Sequence, residues 1–166
     1  MASRVLFLDY DGVVNTPMWD EKGKKCRYNF PEDNKVNNFQ AVQWVSEFCQ
    51  KWEFAIVVIS TWRIDDNWRE CLINGGLREG IEILDRTEDL ATIHKLETRG
   101  HEVKKWLAEH PEVEHFYIID DCDDFLPEQK EFLIKPNPDV GFNMGDFIKL
   151  RNKFIEDRTK KVNNIG

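Results

Sequence analysis

The sequence predicts an α/β protein, a three-layer sandwich in which a central parallel sheet has helices on both faces. Three short apolar runs, Val5–Leu8, Phe54–Ile59 and Phe116–Ile119, have the length and composition of buried strands. Segments with the spacing of amphipathic helices separate them, and right-handed crossovers place such helices on both faces of a parallel sheet. Each run is followed directly by polar residues. Because ligands bind beyond the carboxyl ends of the strands in such sheets, these residues form the candidate site.

Two aspartates and a glycine follow the first predicted strand. Asp9 and Asp11 can point into one site because side chains alternate along an extended chain. Gly12 lets the backbone leave the strand through dihedral angles that a Cβ atom would forbid. A calcium loop would need further oxygen ligands and a closing Glu, whereas Val13 and Val14 follow here. Two carboxylates held close together repel each other unless a cation or a shared proton offsets their charge, so the pair predicts another kind of metal site.

The second and third predicted strands also end in groups that can bind a phosphoryl group or a metal. Ser60–Arg63 follows the second strand and begins with two hydroxyl residues. Asp120 and Asp121 follow the third strand and can complete a metal site. Each feature has a simpler alternative, since Ser60 can cap a helix and the neighbouring Asp123-Asp124 can be merely solvated. The three strand ends together favour a catalytic site over these alternatives.

The three strand ends resemble motifs I, II and IV of the haloacid dehalogenase (HAD) superfamily. Asp9–Val14 is similar to motif I, Ser60 to the hydroxyl residue of motif II, and Asp120-Asp121 to the acidic pair of motif IV. The resemblance covers residues 4–150 and implies a Rossmann-like HAD fold. Further similarity is to small capless HAD domains linked to RNA-repair proteins and, more distantly, to the phosphatase domain of phage polynucleotide kinase. The segments that carry this similarity are Ser60–Arg63, Arg99–Val103, Asp120-Asp121 and Gly141-Phe142.

The resemblance implies a Mg²⁺-dependent phosphatase, a phosphoric monoester hydrolase that forms a covalent aspartyl-phosphate. Asp9 would attack phosphorus. Asp11 would protonate the leaving oxygen and then deprotonate the hydrolytic water. The ligands of Mg²⁺ would be Asp9, Asp11 through its backbone carbonyl, and Asp121, with Asp120 in support.

The resemblance further implies that Ser60, Thr61 and the basic residue of motif III bind the phosphoryl oxygens. Arg99 is the favoured basic residue, because it precedes a predicted amphipathic helix and would lie at its entrance, near the strand ends. Lys104 and Lys105 lie further along that helix, where charged side chains are usually solvated. They remain alternatives to Arg99.

Trp62 and Arg63 are candidate substrate-binding residues, each with a structural alternative. Trp62 can stack on a base or a sugar, or it can pack beneath the loop that contains it. Arg63 can bind a substrate phosphate through two hydrogen bonds, or it can form a structural ion pair with the acidic site. The sequence leaves both choices open.

An insert at residues 15–35 is expected to form a small flap over the site. Met18–Asp20 and Cys26–Phe30 flank a loop that contains Gly23, which is typical of a β-hairpin. The insert is too short to be one of the large caps that enclose small substrates in many HAD proteins. Its basic run, Lys22, Lys24, Lys25 and Arg27, is either a solvated turn or a substrate contact.

The remaining elements follow from periodicity and from helix-breaking residues. Helices are expected at 36–52, 65–77, 100–110 and 146–158, and strands at 81–84 and 131–135, the latter as the last central strand. These elements make one HAD-like domain of residues 1–158. The polar residues 159–166 are expected to form a mobile tail.

Composition is that of a globular protein with an acidic balance. The 166 residues include 23 basic and 31 acidic ones, for a net charge of −8, so the whole chain is a poor nonspecific binder of nucleic acid. The four cysteines show no metal-ligand spacing, and the first predicted strand follows Met1 almost directly, so no signal peptide is expected. Together these features indicate a reduced, cytoplasmic setting. The apolar runs are too short to cross a membrane.

The expected partner is a phosphorylated substrate, with neither a membrane nor an obligate protein partner indicated. By resemblance, a nucleic-acid end or a nucleotide is the leading substrate, and a small phosphorylated metabolite is the alternative. A noncatalytic HAD-like module that binds a phosphoryl group or a protein is the rival interpretation.

Overall fold

The computed structural model describes residues 2–94 and 97–165, with side chains described up to residue 160. The strands of the central sheet are β1 (Arg4–Leu8), β4 (Ala55–Val58), β5 (Ile83–Arg86), β6 (His115–Ile119) and β7 (Leu133–Ile134). A separate hairpin contains β2 (Met18–Trp19) and β3 (Lys25–Cys26). The helices are α1 (Phe39–Trp52), α2 (Trp68–Asn74), α3 (Leu90–Ile93), α4 (Arg99–Glu109) and α5 (Met144–Ile165).

The central sheet is parallel throughout, with strand order β5-β4-β1-β6-β7. β1 lies in the middle, where Leu8 pairs with Val58 on one side and with Ile119 on the other. The three strands that precede the candidate motifs are therefore direct neighbours. Because they are parallel, their carboxyl ends meet at one edge of the sheet, and the predicted α/β architecture is confirmed.

Helices cover both faces of this sheet, as predicted. Leu6 and Leu8 of β1 belong to a core cluster that includes buried residues of α1, α2 and α5. Val5 and Phe7 belong to a second cluster with Val103 and Trp106 of α4. Alternation along β1 sends successive side chains to opposite faces, so this one strand contributes to both halves of the core.

Two helices have bounds that differ from the prediction, and one further helix was not predicted. α1 begins at Phe39, because the Asn38 side chain accepts a hydrogen bond from the backbone N–H of Ala41 and caps the helix there. α2 is shorter than the predicted 65–77, since it begins after Asn67 and ends at Asn74, where Gly75 is the C-cap. α3 is a single turn capped by Asp89, and apolar periodicity alone does not predict it.

The carboxyl-terminal elements also differ from the prediction. β7 is the last strand of the central sheet, as predicted, and lies at its edge. It has two residues rather than the predicted five, because a 3₁₀ turn at Pro127–Phe132 takes up the residues before it. α5 continues to Ile165, so residues predicted as a polar tail are helical. The Lys160–Glu156 ion pair, with 2.7 Å between Nζ and Oε1, has the i, i+4 spacing that supports a helix.

The predicted flap hairpin is present after β1. β2 and β3 are antiparallel, with Trp19 opposite Lys25. Asp20 organises the turn, since its Oδ1 accepts hydrogen bonds from the backbone N–H groups of Lys22 and Lys24 at 2.9 and 2.8 Å.

Across the described residues, 2–94 and 97–165, no helix has the length and hydropathy needed to cross a membrane.

Candidate active site

Three carboxylates meet at the carboxyl edge of the sheet. Asp9 directly follows β1, and Asp120 and Asp121 follow β6. A hydrogen bond of 3.0 Å from the backbone N–H of Asp9 to the carbonyl of Ile119 holds the two strand ends together. One carboxylate oxygen from each of the three residues lies within 4.8 Å of the others. We call this group the acidic triad.

Because the acidic triad is largely buried, the state in which all three carboxylates are ionised without a cation is unfavourable. Burial, with the nearby charges of Asp120 and Asp121, raises the pKa of Asp9 well above its usual value, and the Arg99 guanidinium only partly opposes this. Burial also raises the pKa of Asp120, again against the effect of Arg99. A divalent cation would offset this repulsion, and carboxylate oxygens are the ligands that Mg²⁺ prefers. The triad therefore fits a magnesium site.

Arg99 is the basic residue that the structure brings to the acidic triad. As the first residue of α4, it places Nη1 2.6 Å from Asp120 Oδ2 and 3.3 Å from Asp9 Oδ2. Burial opposes its charge, but the two carboxylates outweigh that effect and raise the pKa of the guanidinium. Lys104 and Lys105 instead lie near glutamates outside the triad, on the exposed side of the helix.

Asp11 lies beside the triad with its own set of partners. The side chain of Tyr10, between the two aspartates, is buried in the core, and its hydroxyl donates to the carbonyl of Trp68 at 2.6 Å. The Asp11 carboxylate accepts hydrogen bonds from Asn15 Nδ2 at 2.8 Å and from Trp62 Nε1 at 3.2 Å. Burial raises the pKa of Asp11, although both donors oppose this. A half-buried carboxyl with a raised pKa is suited to general acid catalysis.

Asn15 is a site residue that the motif analysis did not single out. It is fully buried, and its Nδ2 donates both to Asp11 and to the carbonyl of Asn29 in the flap, each at 2.8 Å. Its Oδ1 accepts from the backbone N–H of Asn37. In the sequence, the sign of this role is that Asn15 directly follows the apolar Val13 and Val14. A polar side chain buried with them needs hydrogen-bond partners.

Trp62 packs beneath the loop, and this corrects its candidate role in stacking on substrate. The side chain is 3 % exposed. Its ring contacts Tyr10 edge to face at 5.6 Å between centroids, and its indole N–H is donated to Asp11. Stacking on a base requires an open ring face, which a ring buried to this extent does not offer.

Arg63 is likewise structural, which corrects its candidate role in phosphate binding. Its side chain is 4 % exposed, and Nη2 lies 2.7 Å from Oε2 of Glu102 on α4. Nε donates to the carbonyl of Thr87 at 2.9 Å. Arg63 therefore forms a structural ion pair, although its main partner is Glu102 rather than a residue of the acidic site. Glu102 lies next to Val103 on the buried face of α4, and a carboxylate there signals a buried cation.

Ser60 and Thr61 lie at the end of the strand next to β1. The backbone N–H of Ile59 donates to the carbonyl of Leu8 at 3.0 Å, so the loop begins beside the end of β1. Ser60 Oγ is buried and accepts a hydrogen bond from the backbone N–H of Trp62 at 3.2 Å, as a cap of the 3₁₀ turn. Thr61 is exposed. Their role in binding phosphoryl oxygens stays a prediction.

One protein-family model matches most of the chain. A family model described as "HAD domain in Swiss Army Knife RNA repair proteins" matches residues 5–147. No curated protein and no solved structure gives a significant match. The matched span contains all of the site residues described above and the whole central sheet except Arg4, the first residue of β1.

Proposed function

The chain belongs to the HAD superfamily, in the family of HAD domains in Swiss Army Knife RNA repair proteins, and from this premise we propose that it is a Mg²⁺-dependent phosphatase. The observation that carries the proposal is the acidic triad with Arg99 at its edge, next to a separately held Asp11. HAD domains are generally hydrolases of the phosphatase type, and this arrangement contains the parts that such a reaction needs.

The reaction proceeds in two displacements at phosphorus. A carboxylate oxygen of Asp9 attacks phosphorus, the bond to the ester oxygen breaks, and Asp11 protonates the departing alkoxide. Asp11 then takes a proton from water, which attacks the aspartyl-phosphate, releases inorganic phosphate and restores Asp9. The acidic triad would hold Mg²⁺, which would neutralise charge at the phosphoryl oxygens. Arg99, Ser60 and Thr61 bind and orient those oxygens.

Substitution of the two aspartates tests this mechanism. With p-nitrophenyl phosphate and Mg²⁺, we expect Asp9→Asn to reduce phosphate release to background, because no nucleophile remains. Asp11→Asn should lower kcat by about 10²- to 10⁴-fold, the usual contribution of a general acid or base. EDTA should abolish the wild-type activity.

Asp123→Asn is the matched control. Asp123 is a nearby acidic residue that pairs with Lys130 at 2.5 Å and lies outside the triad. This variant should keep wild-type activity. Full activity in Asp9→Asn would contradict the aspartyl-phosphate mechanism.

For the substrate, we propose a phosphorylated nucleic-acid end or a nucleotide, supported by the RNA-repair context of the matched family. A small phosphorylated metabolite is the alternative. Comparison of kcat/KM for oligonucleotides with a terminal phosphate, mononucleotides and sugar phosphates separates the two. A noncatalytic module would show no turnover on any of them.

A further inference from the structure

The flap exposes three aromatic rings. Trp19 is 54 % exposed, Phe30 44 % and Tyr28 36 %. Single exposed hydrophobic residues are common on protein surfaces, but exposed apolar side chains grouped in one segment can mark a binding site. Single-stranded nucleic acids stack on aromatic side chains. We call these three residues, together with Arg27, the flap platform.

One side of the flap platform is held in place by its own contacts. The rings of Tyr28 and Phe30 lie 6.1 Å apart, and the guanidinium carbon of Arg27 lies 4.6 Å from the centre of the Phe30 ring. Asp33 Oδ2 accepts hydrogen bonds from Arg27 Nη2 and from the backbone N–H of Phe30, both at 2.8 Å. A surface ordered in this way loses less conformational entropy when a ligand binds.

The flap platform is connected to Asp11 through Asn15. Asn29 lies between Tyr28 and Phe30, and its carbonyl accepts from the Asn15 amide that also donates to Asp11. In the proposed reaction Asp11 protonates the ester oxygen, so the alcohol part of the substrate must lie on the Asp11 side. The rings that flank Asn29 are therefore on the side where the nucleoside of a nucleic-acid end would be.

Charge on the flap also suits a nucleic acid. Residues 18–30 contain four basic residues, Lys22, Lys24, Lys25 and Arg27, and two acidic ones, Asp20 and Glu21, in a chain whose net charge is −8. The Asp20 carboxylate is engaged by two backbone N–H groups of the turn. Two of the cations are paired with carboxylates, Lys25 with Asp139 and Arg27 with Asp33. The flap is thus only slightly positive, which still favours contact with a phosphate backbone in a salt-dependent way.

We propose that the flap platform binds the terminal bases of a single-stranded nucleic acid and presents its terminal phosphate to Asp9, an inference that rests on the proposed phosphatase function. Stacking accepts any base, because every base has a π face. Recognition is therefore expected to depend on single-strandedness and on phosphate contacts more than on sequence.

The test measures binding separately from turnover. The probe is a fluorescent single-stranded hexanucleotide with a terminal phosphate, at the 3′ end in one series and the 5′ end in the other. It is titrated by anisotropy against Asp9→Asn protein with Mg²⁺. Adding Trp19→Ala, Tyr28→Ala or Phe30→Ala should weaken binding by about 5- to 150-fold, the range for loss of one stacked base. Higher salt should weaken binding further.

Phe39→Ala is the matched control. Phe39 is an aromatic residue 57 % exposed at the start of α1, with its ring beside Gly76 rather than on the flap, and its loss should leave oligonucleotide affinity unchanged. The proposal is overturned if the hexanucleotide binds no tighter than a mononucleotide, or if the three flap variants bind it as Asp9→Asn alone does. It is also overturned if wild-type chains self-associate through Trp19 without binding oligonucleotides, as measured by sedimentation.

Hydrolysis of p-nitrophenyl phosphate by the wild-type protein, measured in parallel, keeps the two proposals apart. Activity without oligonucleotide binding would overturn the platform alone. Oligonucleotide binding without activity would overturn the phosphatase proposal and leave the flap as a nucleic-acid contact.

Discussion

At the scale of single residues, Gly12 shows how tightly the site is built. Its φ is +78°, a left-handed conformation that favours glycine. A Cβ atom at this position would lie 2.5 Å from Cγ of Asp121. The glycine of the first motif therefore does more than let the chain leave the strand. It leaves the space that the third carboxylate of the acidic triad occupies.

Gly12→Ala should accordingly cost both stability and metal affinity. Left-handed strain costs about 1–2 kcal/mol, and the displaced Asp121 carboxylate should weaken Mg²⁺ binding as well. Gly23→Ala is the control, because Gly23 has a similar φ of +73° but nothing within 4 Å of its Cβ position. Denaturant unfolding and calorimetric titration of Mg²⁺ measure the two effects. Equal Mg²⁺ affinity in the two variants would contradict the assignment of Asp121 as a ligand.

At the scale of elements, the Arg63–Glu102 ion pair joins the turn after β4 to α4. Arg63 also donates to the carbonyl of Thr87 beyond β5, and Glu102 accepts from the backbone N–H of Leu90 at the start of α3. Burial lowers the pKa of Arg63 and raises that of Glu102, and the attraction between the two charges opposes both shifts. The pair therefore fastens the helix whose first residue is Arg99.

Breaking this pair from one side should destabilise the fold strongly. Arg63→Met leaves the Glu102 carboxylate buried without a partner and should cost about 3–5 kcal/mol of unfolding free energy. Arg63→Met with Glu102→Leu should recover only part of that loss. Neither charge is then stranded, but the hydrogen bonds to the Thr87 carbonyl and from the Leu90 N–H are still lost. Arg78→Met is the control, because the exposed Arg78–Glu47 pair should contribute at most about 1 kcal/mol. A full double-mutant cycle without coupling between Arg63 and Glu102 would refute this account.

At the scale of the whole molecule, parallel strands gather the site from distant parts of the chain. β1, β4 and β6 are neighbours, and each ends at the same edge of the sheet. Asp9, Ser60 and Asp120 come from these three ends, and Arg99 comes from the start of α4. A ligand that bridges several of these elements must stabilise the folded state, since the unfolded chain cannot hold them together.

Mg²⁺ with beryllium fluoride, a mimic of aspartyl-phosphate, should therefore raise the melting temperature. At about 100 times its dissociation constant such a ligand contributes about 2.7 kcal/mol, which for a chain of this size is a shift of about 5–11 °C. Differential scanning fluorimetry measures it, and Asp9→Asn should show no shift with beryllium fluoride. An unchanged wild-type melting temperature, together with no turnover, would favour the noncatalytic interpretation.

The sequence by itself determined the α/β class, the central strands and the acidic and hydroxyl residues at their ends. Short apolar runs that end in polar residues are local features, and parallel strands can place such ends together in few ways. The short edge strand β7 and the full extent of α5 were less predictable, because neither carries a strong apolar pattern.

Only the tertiary structure decided which side chains face the site and which are buried beneath it. Trp62 and Arg63 follow Ser60 directly, yet one packs on Tyr10 and the other pairs with Glu102. Arg99 and Lys104 are both cations of α4, but only Arg99 lies at the end that meets the sheet. Whether each of these side chains is buried or faces the site depends on partners far apart in the chain. The physical reason is that burial and charge pairing are set by packing between elements rather than by local sequence.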